Sequence, residues 1–107
     1  MLIRGTTPII EVDIDFNPQE IVTFYITFEQ NDVVVLEKKL EDCEITKEKI
    51  VCKLSQEDTL KFDSTNKNNG SKHWLNIQVR TRLIDGTAIS QDIKKVDVGR
   101  ILKDGVI

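Results

Sequence analysis

Residues 21–30 read IVTFYITFEQ, and this stretch decides the fold. Large apolar side chains stand at every second position from Val22 to Phe28, and threonine, tyrosine and glutamate stand between them. Such alternation predicts a β-strand that turns one face to a core and the other to solvent. It is the strongest strand signal in the chain, and the strands on either side of it are assigned relative to it.

The next strand, residues 33–40, returns beside the first after a turn. A two-residue loop would put charged residues on the core face, whereas one extra residue places Leu36 opposite Phe28. A slip of one residue turns every side chain to the other face of the sheet, so burial favours the longer, bulged turn. This register leaves Lys38 as a charge on the core side.

Further strands follow from the same alternation. Residues 10–16 form one of them and residues 74–83 another, with Leu75, Ile77, Val79, Thr81 and Leu83 predicted to face inward and Trp74, Asn76, Gln78, Arg80 and Arg82 outward. Asp85-Gly86 is a strong hairpin signal, and it leads into residues 87–98, whose internal charges indicate a bulge or an edge strand. Capping signals at Asn17 and Ser55 predict short helical turns.

A short hairpin is predicted between these strands, with its two arms at residues 43–45 and 50–54. Ile45 and Ile50 share one face, and a loop centred on Lys47-Glu48 puts Cys43 directly across from Cys52. Cytoplasmic chains rarely keep disulfides, so we expect two reduced thiols that pack as small hydrophobic groups.

The fold prediction is therefore all-β: an immunoglobulin-like β-sandwich of about seven antiparallel strands, with one or two short helical connector turns. A length of 107 residues fits a single domain over residues 1–107. The disulfide and buried tryptophan of antibody domains have no counterpart here, so the prediction concerns the architecture alone.

Composition narrows the function classes. The net charge is −3, which disfavours a nucleic-acid partner, because phosphate binders usually carry an excess of basic residues. No apolar run approaches the roughly 20 residues that span a bilayer. Residues 1–8 lack the apolar stretch of a signal peptide, so we expect synthesis in the cytoplasm and no membrane partner.

No active site is predicted. A nucleophile needs a base within hydrogen-bond reach, yet His73, the one histidine, borders a polar loop away from both cysteines. Two acidic pairs could bind a metal or transfer protons: Asp13 with Asp15, and Glu57 with Asp58. Neither has calcium-loop spacing, and the glycines do not form a phosphate loop. We predict no catalytic, metal-binding or cofactor-binding residue, no required small molecule and no enzyme activity.

Exposed aromatic and basic side chains offer a binding hypothesis. Trp74, Arg80 and Arg82 project from one face of one predicted strand, and Tyr25 projects from another. Aromatic rings on a sandwich face can stack on sugars, although scattered exposed groups are also common as ordinary sheet cover. Trp74 and Tyr25 therefore suggest a carbohydrate-binding module as an alternative function.

Two segments lie outside the alternating core. Residues 63–72 are polar and rich in turn formers, which predicts an exposed, mobile loop. Residues 101–107 end on apolar side chains, as does the start of the chain at Leu2-Ile3. We expect one terminus, preferably residues 101–107, to add a strand to the domain's own edge or to a partner.

Several segments carry a family resemblance. They are RGTTP (residues 4–8), YITFEQN (25–31), VLEK (35–38), LSQEDT (54–59), IQVR (77–80), DGTA (85–88) and VGRIL (98–102). Together they cover nearly the whole chain, and their order resembles small phage and prophage proteins of Gram-positive bacteria. The layout is also similar to the N-terminal β-sandwich of phage baseplate upper proteins.

The resemblance implies a virion structural or accessory protein that is not an enzyme. It implies association with other phage structural proteins or with further copies of the chain. It also implies the cytoplasm of a bacterial host at synthesis, with the virion as a further destination. An inhibitor or modulator of a host protein is a third, weaker hypothesis. The shared segments are turn and core positions, so they transfer no catalytic or ligand residue to this chain.

Overall fold

The computed structural model describes residues 2–64 and 74–107, with the backbone alone at residues 92–94. The strands are β1 (Leu2–Ile3), β2 (Ile9–Asp13), β3 (Ile21–Gln30), β4 (Val33–Lys39), β5 (Glu44–Ile45), β6 (Lys49–Lys53), β7 (Leu75–Leu83), β8 (Ala88–Val96) and β9 (Val98–Gly99). Helical segments are short: α1 (Gln56–Leu60) and 3-10 turns at Pro18–Glu20 and Leu40–Asp42. The chain is mostly β with little helix, as predicted.

Antiparallel pairing builds two sheets in the described part of the chain. The larger sheet has the order β4-β3-β7-β8, and the smaller sheet has the order β2-β6-β5. These sheets account for the seven antiparallel strands that the sequence predicts. β1 and β9 form a separate parallel pair, which the sequence does not predict because two-residue strands carry no alternation.

Both sheets contribute to one hydrophobic core. Its buried side chains are Leu2, Val12, Phe24, Ile26, Phe28, Leu36, Ile50, Cys52, Leu54, Phe62, Leu75, Ile77, Val79 and Val98. β7 alternates between buried and exposed residues along its whole length, as predicted. The rings of Phe28 and Phe62 lie with their centroids 5.7 Å apart, which ties the segment after α1 to the larger sheet.

The β3–β4 hairpin has the predicted register, with Phe28 opposite Leu36. Its turn, however, is only two residues long: Asn31 and Asp32 both have positive φ angles, of 52° and 64°. The extra residue is Val35, which bulges from β4 where the register shifts. A two-residue turn of this kind matches the twist of the strands, and the bulge then restores the apolar register.

Lys38 finds a counter-ion on the core side. It lies opposite Ile26, and its Nζ is 2.9 Å from Oδ2 of Asp58 at the third residue of α1. The same carboxylate accepts a hydrogen bond of 2.9 Å from the backbone N–H of Ser55, the N-cap residue. Burial raises the pKa of Asp58, but the bonds from Ser55 and Lys38 outweigh it, so the pKa lies below its usual value. A capping side chain thus neutralises the lysine that the register of β4 turns inward.

Two side chains depart from the predicted burial pattern. Val22 is 52% exposed, because the register with β7 shifts between Ile21 and Thr23. Ile45 is 47% exposed at the end of the short edge strand β5, although it shares the register of the buried Ile50. β8 combines both predicted irregularities, since it is an edge strand and its register with β7 shifts beside Ile77.

The termini also differ from expectation. Leu2 is a core residue, because β1 pairs with β9. Residues 101–107 form no strand, so the predicted strand addition by this tail is wrong for the chain's own edges. The main chain of Ile107 is held instead by the side-chain amide of Gln56, which accepts its N–H at 2.8 Å. Arg4 adds an ion pair with Asp104 at 3.5 Å.

The polar loop predicted at residues 63–72 lies outside the described residues from position 65 to 72. Its first residue is well anchored, because the buried side-chain amide of Gln30 bonds to both the N–H and the C=O of Asp63, each at 2.9 Å. The side-chain amide of Gln30 thus makes the two hydrogen bonds with the backbone of Asp63 that a neighbouring β-strand would otherwise make.

Candidate functional site

One face of the larger sheet points away from the core, and we call it the outer face. Its side chains come from the four neighbouring strands: Thr23, Tyr25, Thr27 and Glu29 on β3, Asn76, Gln78, Arg80 and Arg82 on β7, Glu37 and Lys39 on β4, and Ala88 and Ser90 on β8. The β7 members are exposed and the β3 members are half-buried. Alternation explains this arrangement, since the intervening residues of β3 and β7 fill the core.

Three cations and a tyrosine form what we call the basic patch: Tyr25, Lys39, Arg80 and Arg82. The register aligns Lys39, Tyr25 and Arg80 in one row across β4, β3 and β7. Arg82 stands two positions from Arg80 on the same face, roughly 7 Å along the strand. Tyr25 and the two arginines border a shallow depression of about 370 Å³.

Within the described strands, no acidic residue lies directly opposite a cation of the basic patch. Arg80 lies between Tyr25 and Ser90, and Arg82 lies between Thr23 and Ala88. Lys39 at the edge faces Tyr25. Opposite charges in such positions stabilise a sheet, and neutral residues occupy them instead. Among the described side chains, none of the three cations forms an ion pair.

At the other end of the outer face, the polar side chains have partners within the molecule. Nδ2 of Asn76 donates to Oε2 of Glu29 at 2.8 Å, and the backbone N–H of Asp32 donates to the same carboxylate. Nζ of Lys95 lies 5.2 Å from the ring centroid of Trp74. These groups already have partners. Of the described charges on the outer face, Glu37 and the three cations of the basic patch form no ion pair, so most of the unpaired charge lies in the patch.

The two aromatic residues of the carbohydrate hypothesis are far apart. Trp74 lies just before β7, roughly 20 Å along the strand from Arg80, the residue opposite Tyr25, at about 3.3 Å per residue. The ring of Trp74 is half-buried and carries Lys95 over it. One sugar ring could therefore not stack on both aromatic side chains at once.

The structure thus brings Tyr25, Arg80 and Arg82 together and leaves Trp74 apart. Sequence reasoning missed Lys39, although the predicted register of β4 already places it opposite Tyr25. His73 lies outside the described residues. Of the acidic pairs, Asp58 is buried against Lys38, while Asp13 and Asp15 are exposed.

Cys43 and Cys52 are free thiols placed as predicted. Glu44 pairs with Val51, so extending the ladder by one residue sets Cys43 opposite Cys52. Burial, reinforced by Cys52, raises the pKa of the Cys43 thiol to about 12, and burial also raises the pKa of Cys52. A thiol nucleophile works as its thiolate, so neither group is suited to nucleophilic catalysis near neutral pH.

We expect these thiols to react slowly in the folded protein. At pH 8, a pKa of about 12 leaves Cys43 with a thiolate fraction roughly a thousandfold below that of an ordinary cysteine. Alkylation by iodoacetamide, followed by mass spectrometry, should be correspondingly slow in buffer and fast in urea. Equal rates in the two solutions would contradict the thiol environment described above.

Within the described residues, no cluster of three or more histidine, cysteine, aspartate or glutamate side chains could hold a metal ion. No described helix is both long and apolar enough to cross a membrane. In comparisons with known proteins, no family model, no curated protein and no solved structure matches this chain.

Proposed function

We propose that this protein is a non-enzymatic structural or accessory component of a phage or prophage particle. It acts by binding other proteins through the outer face of its larger sheet. The observation that carries the proposal is the basic patch: an open sheet face on which three cations stand beside neutral partners. Cations left without partners in the monomer are available to a second molecule. The phage assignment rests on the resemblance of the segments quoted above.

The proposal includes an immunoglobulin-like sandwich. Lettered A to G from β2 to β8, the sheets read A-E-D and C-B-F-G. A constant-type immunoglobulin domain has A-B-E-D and C-F-G, so the two arrangements differ in the sheet to which strand B belongs. Moving strand B, which is β3 here, from the larger sheet to the smaller one would convert the first arrangement into the second. Synthesis takes place in the cytoplasm of a bacterial host, and the protein functions in the virion.

A bulky substitution in the middle of the outer face tests whether the protein binds its partners through this face. Thr27 lies on the central strand β3 between Glu37 and Gln78. In Thr27→Arg, a long side chain should hold a partner off this face, while surface substitutions of this kind usually change stability by only about 0.5 kcal/mol. We expect at least a tenfold loss of the protein from phage particles purified after prophage induction, equivalent to about 1.4 kcal/mol of binding free energy.

Thr7→Arg is the matched control, because Thr7 is exposed on the N-terminal arm and not on the sheet. It should enter particles like the wild type, as measured by quantitative mass spectrometry of gradient-purified particles. Absence of the wild-type protein from particles would refute the phage assignment. Equal incorporation of Thr27→Arg would refute the role of the outer face. Glycan binding that Tyr25→Ala or Trp74→Ala abolishes would favour the carbohydrate-binding alternative.

A further inference from the structure

We propose that copies of this chain associate head to tail through opposite charge. The basic patch of one copy binds an acidic stripe on the next, which we define as Glu11, Asp13 and Asp15. This inference rests on the proposed function, association through the outer face, and it names the partner as a second copy of the chain.

The acidic stripe lies on the smaller sheet. Glu11 and Asp13 are exposed on the solvent side of β2, an edge strand, and the exposed Asp15 follows directly after it. Glu11 and Asp13 stand two positions apart in an extended chain, as do Arg80 and Arg82, so both pairs repeat at roughly 7 Å. Carboxylates and guanidinium groups of the two surfaces can therefore be matched in register.

Lys49 neutralises only part of the stripe. Its Nζ lies 3.1 Å from a carboxylate oxygen of Glu11 and 3.9 Å from one of Asp13. One lysine thus serves two carboxylates, and the stripe keeps a net negative charge. All of these side chains are largely exposed, and an exposed ion pair is weak enough to exchange one partner for another.

The two surfaces lie on opposite sides of the molecule, because each belongs to the outward side of one of the two sheets that share the core. A contact between patch and stripe therefore joins different surfaces, and it leaves a free patch on one copy and a free stripe on the other. Repeated heterologous contacts of this kind build rings or filaments of many copies, and a structural component of a particle is expected to form such assemblies.

A second copy fits this surface better than nucleic acid does. The chain carries a net charge of −3, so phosphates that approach the basic patch meet an acidic molecule as a whole. A second copy carries the same net charge, but it brings a stripe whose carboxylates repeat at the spacing of the two arginines. Because the contact consists of exposed charges, we expect it to weaken strongly as the Debye length falls from about 10 Å at 0.1 M salt to 3 Å at 1 M.

Two one-sided variants provide the test. Arg80→Gln with Arg82→Gln removes both arginines of the patch, and Glu11→Gln with Asp13→Asn removes two of the three carboxylates of the stripe. In sedimentation velocity, the wild type should form oligomers at low salt and dissociate at about 1 M salt. Each variant alone should be monomeric. An equimolar mixture should stop at a heterodimer, because each copy keeps only one functional surface.

Arg100→Gln with Glu57→Gln is the control, since both residues are exposed away from the two surfaces; it should associate like the wild type. Circular dichroism should show every variant folded. The inference is overturned if the wild type is monomeric at low salt, if either variant still self-associates, or if the mixture does not form a dimer.

A single-stranded oligonucleotide serves as the competing probe. If it binds the wild type and is lost from the patch variant, the patch is a nucleic-acid site and the inference is wrong. If mixing fails to restore a dimer while Thr27→Arg still blocks entry into particles, the proposed function stands and only the identity of the partner is refuted.

Discussion

Asp58→Ala should lower the free energy of unfolding by about 3 kcal/mol, because it removes both the counter-ion of Lys38 and the capping bond at Ser55. The side chains of Lys38 and Asp58 are only 18% and 11% exposed, so water can replace little of this interaction. Urea denaturation at pH 7 measures the loss. Glu57→Ala, one residue earlier on an exposed position of α1, is the matched control and should change little.

The ion pair also predicts a pH dependence. The folded pKa of Asp58 lies below its usual value, so its contribution to stability is complete above the unfolded pKa of about 4. That contribution is lost as the pH falls through the lower, folded pKa. The difference in stability between the wild type and Asp58→Ala should therefore shrink below about pH 4. A difference that stayed constant down to pH 2 would show that the carboxylate charge contributes nothing.

Asp58→Asn separates the two roles of the side chain. Asparagine keeps an oxygen that can accept from the N–H of Ser55, but it removes the negative charge beside Lys38. We expect a loss between those of the control and the alanine variant. A loss as large as that of Asp58→Ala would assign the effect to the charge, and no loss would assign it to the cap.

Phe62→Ala should have a comparable or larger effect, about 3–5 kcal/mol. Phe62 is fully buried, and its ring packs against Phe28 of β3 at a centroid distance of 5.7 Å. The substitution leaves a cavity where the segment after α1 joins the larger sheet. Thermal and urea denaturation measure the loss, and Phe62→Leu should retain most of the stability because it refills much of the volume.

Phe16→Ala is the comparison, since Phe16 is only half-buried and should lose less than Phe62. Equal losses for the two alanine variants would mean that the Phe28–Phe62 contact adds nothing beyond average burial. A loss for Phe62→Ala below 1 kcal/mol, against the usual range of about 3–5, would place Phe62 outside the core.

Alternation made the strand faces predictable along β7 and along β3 from Thr23 to Phe28, because a period of two assigns each residue to the core or to solvent. Val22 departs from it where the register shifts. The partner of Lys38 was not predictable, since it depends on how α1 sits against β4, a placement that no local pattern reports. The position of the bulge at Val35 was missed for a related reason. A longer turn and a bulged strand give the same register for Phe28 and Leu36, so burial alone does not distinguish them.

The candidate site was predicted in part. The outward positions of β7 gave Arg80 and Arg82, and those of β3 gave Tyr25. The pairing of β3 with β7, which sets Tyr25 opposite Arg80, was not predicted. The lack of acidic partners among the described residues could not be predicted from β7 alone, because it depends on which residues of β8 and β3 lie opposite the arginines. Ser90 and Ala88 occupy those positions through the register that the β7–β8 turn sets, on the turn side of the bulge.

The parallel pairing of β1 with β9 has a consequence for how the molecule folds. Leu2 lies opposite Val98, so this contact closes a loop that contains nearly every other element. Contacts of such high sequence separation slow folding, because the entropy of loop closure is lost before the contact forms. During translation, β1 can therefore pair with β9, and Leu2 can pack in the core as described, only after Val98 has left the ribosome.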